Sequence, residues 1–240
     1  MKHDEPKTAV TPEQVSVALE GSGLVVTDEQ CRQLACHANL MLAANEHTNL
    51  TRITDPDAVL ELHILDSLLV TLHTDALKGL IVDVGSGAGY PGIPLAIVGN
   101  QVVLCESVKK KAAFLVSCIA ELGLDVAVRD VRAEELAQSD PRIADTVVFR
   151  AVSSLAALVE LAAPLLKPGG SMVALKGQLD ANERSAGRAA AIPCGMEELD
   201  ERAYHLPGGQ SRTVVVYGRV GEARVRLPRR PGMAQRYPLK

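Results

Sequence analysis

Residues 81 to 94 read IVDVGSGAGYPGIP. With Leu80 in front, the stretch opens as LIVDV, an apolar, β-branched run of the length expected for a buried strand. It passes directly into a glycine-rich turn and then into GIPLAI, an apolar segment with the pattern of a helix. A strand, a glycine turn and a helix start in that order present backbone N–H groups to a ligand, which suits anions and polar cofactors. The same residues could also form no more than a tight structural turn.

Outward from this point the chain alternates. Downstream come the strand QVVLCE, the helix KKKAAFLVSCIAELG, a shorter strand DVAVRD, the strand DTVVFRAV and a helix around SLAALVELAAPLL. KPGG reads as a turn before the strand SMVALKG, and RTVVVYGRV is a late, strongly β-branched strand. Strands alternating with helices predict an α/β fold with an open, mostly parallel, doubly wound sheet.

Upstream, residues 1 to 12 look frayed. Thr27 and Gln30 then stand in capping-box spacing before a helix whose Cys31, Leu34, Ala35, Ala38, Met41 and Leu42 share one face. A second helix begins at Asp55-Pro56 and continues through AVLELHILDSLLVTLH. The expected division is an N-terminal helical extension over 1–75, an α/β core over 76–220 and a basic C-terminal tail over 221–240.

A hydrophobic fraction of 47% in 240 residues is enough for a full core and excludes a largely disordered chain. No run of eighteen apolar residues exists, and MKHDEPKTAV has no apolar leader core, so a cytoplasmic protein without a membrane segment is expected. Five cysteines without a C-x-x-C pair predict no metal site and a reducing compartment. A monomer is expected. The net charge of −4 conceals an asymmetry. From Arg212 to Lys240 eight basic residues face Glu222 alone, leaving 17 of the 25 basic and 28 of the 29 acidic residues upstream. A basic end on an acidic body fits either a polyanionic partner or a solvated terminus.

The register of the glycines separates two cofactor classes. A dinucleotide fingerprint can be drawn through Gly87, Gly89 and Gly92, but it starts two residues after the strand has ended. Counted from the strand end the pattern is Asp83, Gly85, Gly87, Gly89. A carboxylate just before the first glycine can meet an amino acid's ammonium or order the loop, and it would repel a pyrophosphate. Glu106, closing the second strand, is placed to accept from ribose hydroxyls, a device common to both classes. Asp83 and the register favour S-adenosylmethionine.

Other polar residues carry competing readings. His63, Asp66 and Ser67 lie at i, i+3 and i+4 of one helix and evoke a hydrolase triad. A nucleophile is normally held on a turn with its own oxyanion donors, so packing or hydrogen bonding to the glycine loop is the favoured reading. Arg150 ends a strand where open sheets place ligands, and suits a phosphate, a base or a salt bridge at the rim. Asn45 and Asn49 fit helix-end and turn positions or a substrate-facing role. Lys109, Lys110 and Lys111 open a helix, the end where cations are least favoured, and read as a solvated face.

Taken together, NEHTNLTRI, HILDSL, VDVGSGAGYPGIPLAI, RAEEL, RAVSSL, LKG and PRRPGMAQRYPL resemble the bacterial small-subunit ribosomal RNA methyltransferase G family, also called glucose-inhibited division protein B. The likeness runs over residues 27 to 240. It implies an S-adenosylmethionine-dependent methyltransferase fold and methylation of a guanine at N7 in 16S ribosomal RNA near the decoding region. The partner implied is that RNA or the 30S subunit. Carried over position by position, the family's cofactor contacts fall on Gly85, Tyr90, Ala133, Glu134 and Arg150. Two positions depart from the family pattern: Tyr90 stands where leucine is more common, and Ala44 replaces a common tryptophan.

Guanine N7 carries a lone pair and no proton, so the implied reaction needs no general base and rests on positioning. Within the tail, Arg229, Arg230 and Arg236 are expected to contact RNA phosphates, with Tyr237 offering a ring for stacking. Three prolines and little periodicity predict that residues 224 to 240 contribute little core. Competing functions are a non-catalytic RNA-binding or ribosome-assembly module, a small-molecule methyltransferase and a nucleotide-dependent oxidoreductase. The basic tail argues against the last two, and the intact loop with Asp83 and Glu106 argues against the first.

Overall fold

The computed structural model describes residues 9–240; the first eight residues of the expected frayed start lie outside that range. The N-terminal helices are α1 (Pro12–Leu19), α2 (Asp28–Thr48), α3 (Pro56–Val59) and α4 (Asp66–His73), with a π-helical turn at Leu60–Leu65 joining the last two. The sheet strands are β1 (Leu80–Val84), β2 (Gln101–Cys105), β3 (Ala127–Arg129), β4 (Ala144–Arg150), β5 (Leu166–Lys176), β6 (Met196–His205) and β7 (Ser211–Arg219). Between and after them lie α5 (Gly92–Ile97), α6 (Lys109–Glu121), α7 (Ala133–Ser139), α8 (Leu155–Ala162), α9 (Ala181–Cys194) and α10 (Met233–Arg236).

The seven strands run in the order β3-β2-β1-β4-β5-β7-β6. Pairs from β3 through β5 are parallel, and β7 enters antiparallel between β5 and β6. The fold is thus the expected α/β sheet with helices on both faces. Alternation along β1 explains the two layers: Ile81 joins one core cluster while Val82 and Val84 join the other. The first cluster takes Val15 of α1, Leu34 and Met41 of α2, Leu68 of α4, Ile93 of α5 and Leu115 of α6. The N-terminal helices therefore form one face of the sheet's own core. The opposite cluster takes Leu136 of α7, Leu158 of α8, Ala191 of α9 and Ala234 of α10.

Several elements differ from the sequence reading. Residues 12–19 are helical, capped by a reciprocal Thr11–Gln14 box. The helix expected from Asp55 is continuous but widens at Leu60–Leu65, where the Asp66 N–H reaches back five residues to the Glu61 carbonyl. KPGG lies inside β5, beside a register irregularity near Ala144 and Thr146, instead of ending in a turn. MEELDERAYH, with five charged residues in ten, is the edge strand β6, whose charges suit an exposed edge.

The C-terminal tail is the main correction. Ala234 is buried, and Leu227 and Leu239 pack against the second core cluster. The Arg224 N–H donates to the Pro193 carbonyl at 2.8 Å. Residues 224 to 240 are seated on the sheet's second helical layer. No helix among the described residues is long and apolar enough to cross a membrane.

Candidate functional site

The strand order reverses at β1, whose chain continues to β2 on one side while β4 pairs on the other. Open sheets bind ligands at the carboxyl ends of strands beside such a reversal. A cleft of about 450 Å³ lies there, lined by Gly85 to Ala88 and Tyr90 after β1, Arg150 and Ala151 after β4, and Leu175 to Gly177 at the end of β5. Thr51, Leu62, His63 and Asp66 close it from the N-terminal helices, together with Arg212 of β7.

Backbone and carboxylate bonds fix the glycine loop. The Gly85 N–H donates to the Cys105 carbonyl at 2.8 Å, tying the loop to the end of β2, and the Gly89 N–H donates to the Ser86 carbonyl at 2.7 Å. Gly85, Gly87 and Gly89 all have positive φ (76°, 57° and 91°), the left-handed region that favours glycine. Asp83 lies beneath the loop, only 1% exposed, and accepts the Gly92 N–H at 3.0 Å. Of its two expected roles, ordering the loop is the one its hydrogen bonding serves. Burial pushes its carboxyl up to about 7. Glu106 accepts the Gly87 N–H at 2.9 Å and the Val108 N–H at 2.7 Å. A carboxylate with two such bonds retains lone pairs for a ligand hydroxyl.

The opposite wall is an aromatic and guanidinium cluster. Tyr90, 3% exposed, stacks with His37 at 4.3 Å between ring centroids and with His63 at 4.5 Å. The His37 Nε2–H donates to the Ala88 carbonyl at 2.8 Å, so helix α2 also holds the loop. Arg150 donates to His63 Nδ1 at 3.0 Å, which makes His63 Nε2 the protonated nitrogen facing Thr51 Oγ1, also at 3.0 Å. Burial holds His37 near 4 and, with Arg150 adding, His63 near 3, so both imidazoles are neutral at pH 7. Arg150 also donates to the Leu62 carbonyl at 2.9 Å. Asp66, 3% exposed, takes Arg212 Nε at 2.9 Å on one oxygen and faces Arg150 Nη1 at 3.6 Å with the other.

This wall decides between the readings of the HILDS segment. The Ser67 hydroxyl is buried without a hydrogen-bond partner, and His63 is spent on Arg150 and Thr51, so no hydrolase triad exists. Asn45 bonds both backbone groups of Thr51, at 3.0 and 2.9 Å, and Asn49 caps α2 in the left-handed conformation, as turn-forming residues do. Lys109, Lys110 and Lys111 form the first turn of α6. Among the described residues no cluster of His, Cys, Asp and Glu could hold a metal.

The expected site residues separate into three places. Gly85, Gly87, Tyr90 and Arg150 line the cleft, with Asp83 beneath it and Glu106 tied to its loop. Ala133 and Glu134 open α7, where the Glu134 carboxylate accepts the Gly232 N–H from the tail at 2.8 Å. Arg229 is withdrawn from the RNA-facing set. Its guanidinium is paired at 2.6 and 2.5 Å with Glu160 of α8, a carboxylate 3% exposed. Arg230 and Arg236 are exposed and make no ion pair among the described residues. His37, Thr51, Lys176 and Arg212 were not anticipated. His37 had a signal in its i+3 spacing from Leu34 on the buried face of α2, whereas Thr51 and Lys176 stand inside the NEHTNLTRI and LKG motifs and Arg212 in the basic end without being marked out individually.

Residues 30–213 match the family described as rRNA small subunit methyltransferase G. A protein named "Ribosomal RNA small subunit methyltransferase G" from Carboxydothermus hydrogenoformans is 37% identical over 223 residues, covering 90% of this chain and 95% of that one. One of the same name from Levilactobacillus brevis is 36% identical over 242 residues, covering 96% and 100%. Among solved structures, a SAM-dependent methyltransferase from Methanosarcina mazei superposes with a TM-score of 0.52 at 14% identity, covering 64% of this chain and 98% of that one. A putative transferase from Pyrococcus horikoshii gives 0.50 at 19%, covering 62% and 60%. At such identities these two structures speak to the fold alone.

Proposed function

The chain belongs to the rRNA small subunit methyltransferase G family and is an S-adenosylmethionine-dependent methyltransferase of small-subunit ribosomal RNA, and we propose from that premise that its acceptor is N7 of a guanine. The observation that carries the reading is the cleft at the sheet's reversal, walled by a glycine loop in D-x-G-x-G-x-G register. Its volume of about 450 Å³ falls within the range of cofactor-sized sites.

The residues present fit the donor. A Cβ at Gly87 would point into open space, with no atom nearer than the Gly85 carbonyl oxygen at 3.8 Å, so the loop leaves room for close approach. Gly85 and Gly87 would offer backbone to the donor, Glu106 would accept from ribose hydroxyls, and Ala133 and Glu134 would lie at the adenine end. Tyr90 and Arg150 would close the amino-acid end, with Asp83 keeping the loop in shape. The donor supplies an electrophilic methyl on a sulfonium.

Guanine N7 needs no deprotonation, so the chain's task is to orient two reactants and exclude water. The cleft suits that task, because the histidine that lines it, His63, is neutral at pH 7 and bonded through both ring nitrogens, to Arg150 and to Thr51. Arg212, held by Asp66 on the cleft wall, is placed to meet a phosphate of the target strand. Exposed Arg224, Arg226, Arg230 and Arg236 on the seated tail would track further phosphates. Residues 76–220 would then form the catalytic core and 221–240 an RNA-facing margin, acting on 16S RNA or the 30S subunit in the cytoplasm.

Calorimetric titration with S-adenosylmethionine and with NAD, followed by labelled methyl transfer to 16S RNA and to 30S subunits, tests the reading. It requires binding of the first ligand only and label in the RNA. Binding of NAD, or label confined to small molecules, would overturn it.

A further inference from the structure

Arg229 is the most heavily bonded cation of the C-terminal tail. Its Nε and Nη2 form a fork on Glu160 at 2.6 and 2.5 Å, and the same Nη2 donates to the Tyr237 carbonyl at 2.7 Å. The guanidinium thus fastens both ends of the segment from 229 to 237 onto α8. Inside that segment the chain bonds to itself: the Met233 N–H to the Arg230 carbonyl, the Arg236 N–H to the Gly232 carbonyl and the Tyr237 N–H to the Met233 carbonyl. One N–H leaves the segment, that of Gly232, and it donates to Glu134 at 2.8 Å.

Glu134 belongs to the same end of the sheet as Glu106. The Glu106 N–H donates to the Arg129 carbonyl at 3.0 Å, and Cys105 Sγ lies 3.4 Å from the Val131 carbonyl, so the chain leading into α7 runs beside the end of β2. Burial first, and then the carboxylates of Asp83, Glu106, Glu134 and Glu135 in that order, push the Cys105 thiol up to about 12. A buried carboxylate is oriented by its donors. Glu134 is 5% exposed, and the Gly232 N–H is its donor from the tail.

We propose that the Arg229–Glu160 pair is a positioning device for donor binding: it seats the tail so that Gly232 orients Glu134 beside the end of β2, on the Glu106 side of the cleft. This rests on the donor-site reading given above. The tail then has two faces with separate duties. Its inner face, through Arg229 and Gly232, serves the cofactor, and its outer arginines remain free for RNA. A fork–fork geometry is specific to guanidinium, so lysine can restore the charge without restoring both bonds.

The test compares the full-length parent with Arg229→Met, Arg229→Lys and Glu160→Gln. Affinities for S-adenosylmethionine and S-adenosylhomocysteine are measured by calorimetry, RNA affinity by filter binding across a salt series, and thermal unfolding without ligand. For Arg229→Met both adenosyl ligands should bind about tenfold more weakly, the equivalent of losing one oriented hydrogen bond. Glu160→Gln should move the same way, Arg229→Lys should lie between it and the parent, and RNA affinity should change by less than the donor's. Unchanged adenosyl-ligand affinity in Arg229→Met, with or without a lowered melting temperature, would overturn the proposal. So would a loss confined to RNA binding with a flattened salt dependence. If Arg229→Met does not fold, Arg229→Lys and Glu160→Gln decide by the same criteria. A parent that binds neither adenosyl ligand would instead refute the donor-site reading.

Discussion

Replacing Asp83 with asparagine removes a buried charge while keeping an oxygen for the Gly92 N–H. In the folded protein burial raises this carboxyl from 3.8 to about 7. The difference corresponds to about 4 kcal/mol of stability, at about 1.4 kcal/mol per tenfold shift in proton affinity. The sign follows from which state holds the proton. Between about pH 4 and 7 the folded chain retains it and the unfolded chain has lost it, so raising the pH through that window destabilises the fold. Above pH 7 the penalty is complete, and below pH 4 it is absent. From pH 5 to pH 8 it grows by roughly 2–3 kcal/mol, or about 4–12 °C in melting temperature for a chain of this size. The asparagine N–H₂ group carries its own cost of burial, about 1–3 kcal/mol, but that cost is the same at both pH values. Asp83→Asn should therefore melt higher relative to the parent at pH 8 than at pH 5, by that margin, in scanning calorimetry of the unliganded protein. A melting difference that is identical at the two pH values would refute the reasoning. Because Asp83 is bonded to Gly92, the substitution should weaken S-adenosylmethionine binding by less than about tenfold, the scale of one neutral hydrogen bond.

Gly85→Ala places a Cβ 2.8 Å from Val152 Cγ2 at a φ of 76°, whereas Gly87→Ala meets open space. Gly85→Ala should lose more than the roughly 1–2 kcal/mol of left-handed strain, read by denaturant unfolding, and Gly87→Ala no more than that while binding the donor more weakly. Gly85→Val should abolish calorimetric donor binding. Single-turnover methyl transfer at saturating donor should show no bell between about pH 6 and 9, since His37 and His63 titrate near 4 and 3 and Asp83, raised to about 7 beneath the loop, can impose a single limb at most; a clear bell would reveal an enzyme base. Replacing Arg230 and Arg236 together with glutamine should reduce the slope of RNA affinity against salt by about two, one for each phosphate no longer neutralised. An unchanged slope would make those arginines bystanders.

The sheet was legible because its central parallel strands β1 and β4 are buried on both faces and announce themselves as apolar runs, LIVDV and TVVF. The edge strand β6 was not, since its charged residues follow no apolar period and two of them, Glu198 and Glu201, find their partners in Arg188 and Arg184 of α9. The loop's ligand class came from a register, Asp83 and Gly85 counted from the strand end, which is local information. The tail was misread for the opposite reason. It docks through distant partners, among them Glu160, a single acid on α8 that is 69 positions from Arg229 in sequence and buried only in the folded state. A partner at that separation leaves no trace in composition, where Arg229 looks like Arg230. Asp66 shows the same limit: spacing within one helix suggested His63 and Ser67 as its partners, and the fold gave it Arg150 and Arg212.

The central claim is that a methyl group passes from S-adenosylmethionine to N7 of a guanine in small-subunit ribosomal RNA. N7-methylation leaves a positively charged ring, which borohydride reduction followed by aniline converts into a strand break. Subunits or RNA from cells lacking this protein, incubated with the purified enzyme and donor and then treated in this way, should break at one guanine and stay intact without the donor. Label entering the RNA with no aniline-sensitive position would place the methyl group on another atom and contradict the account.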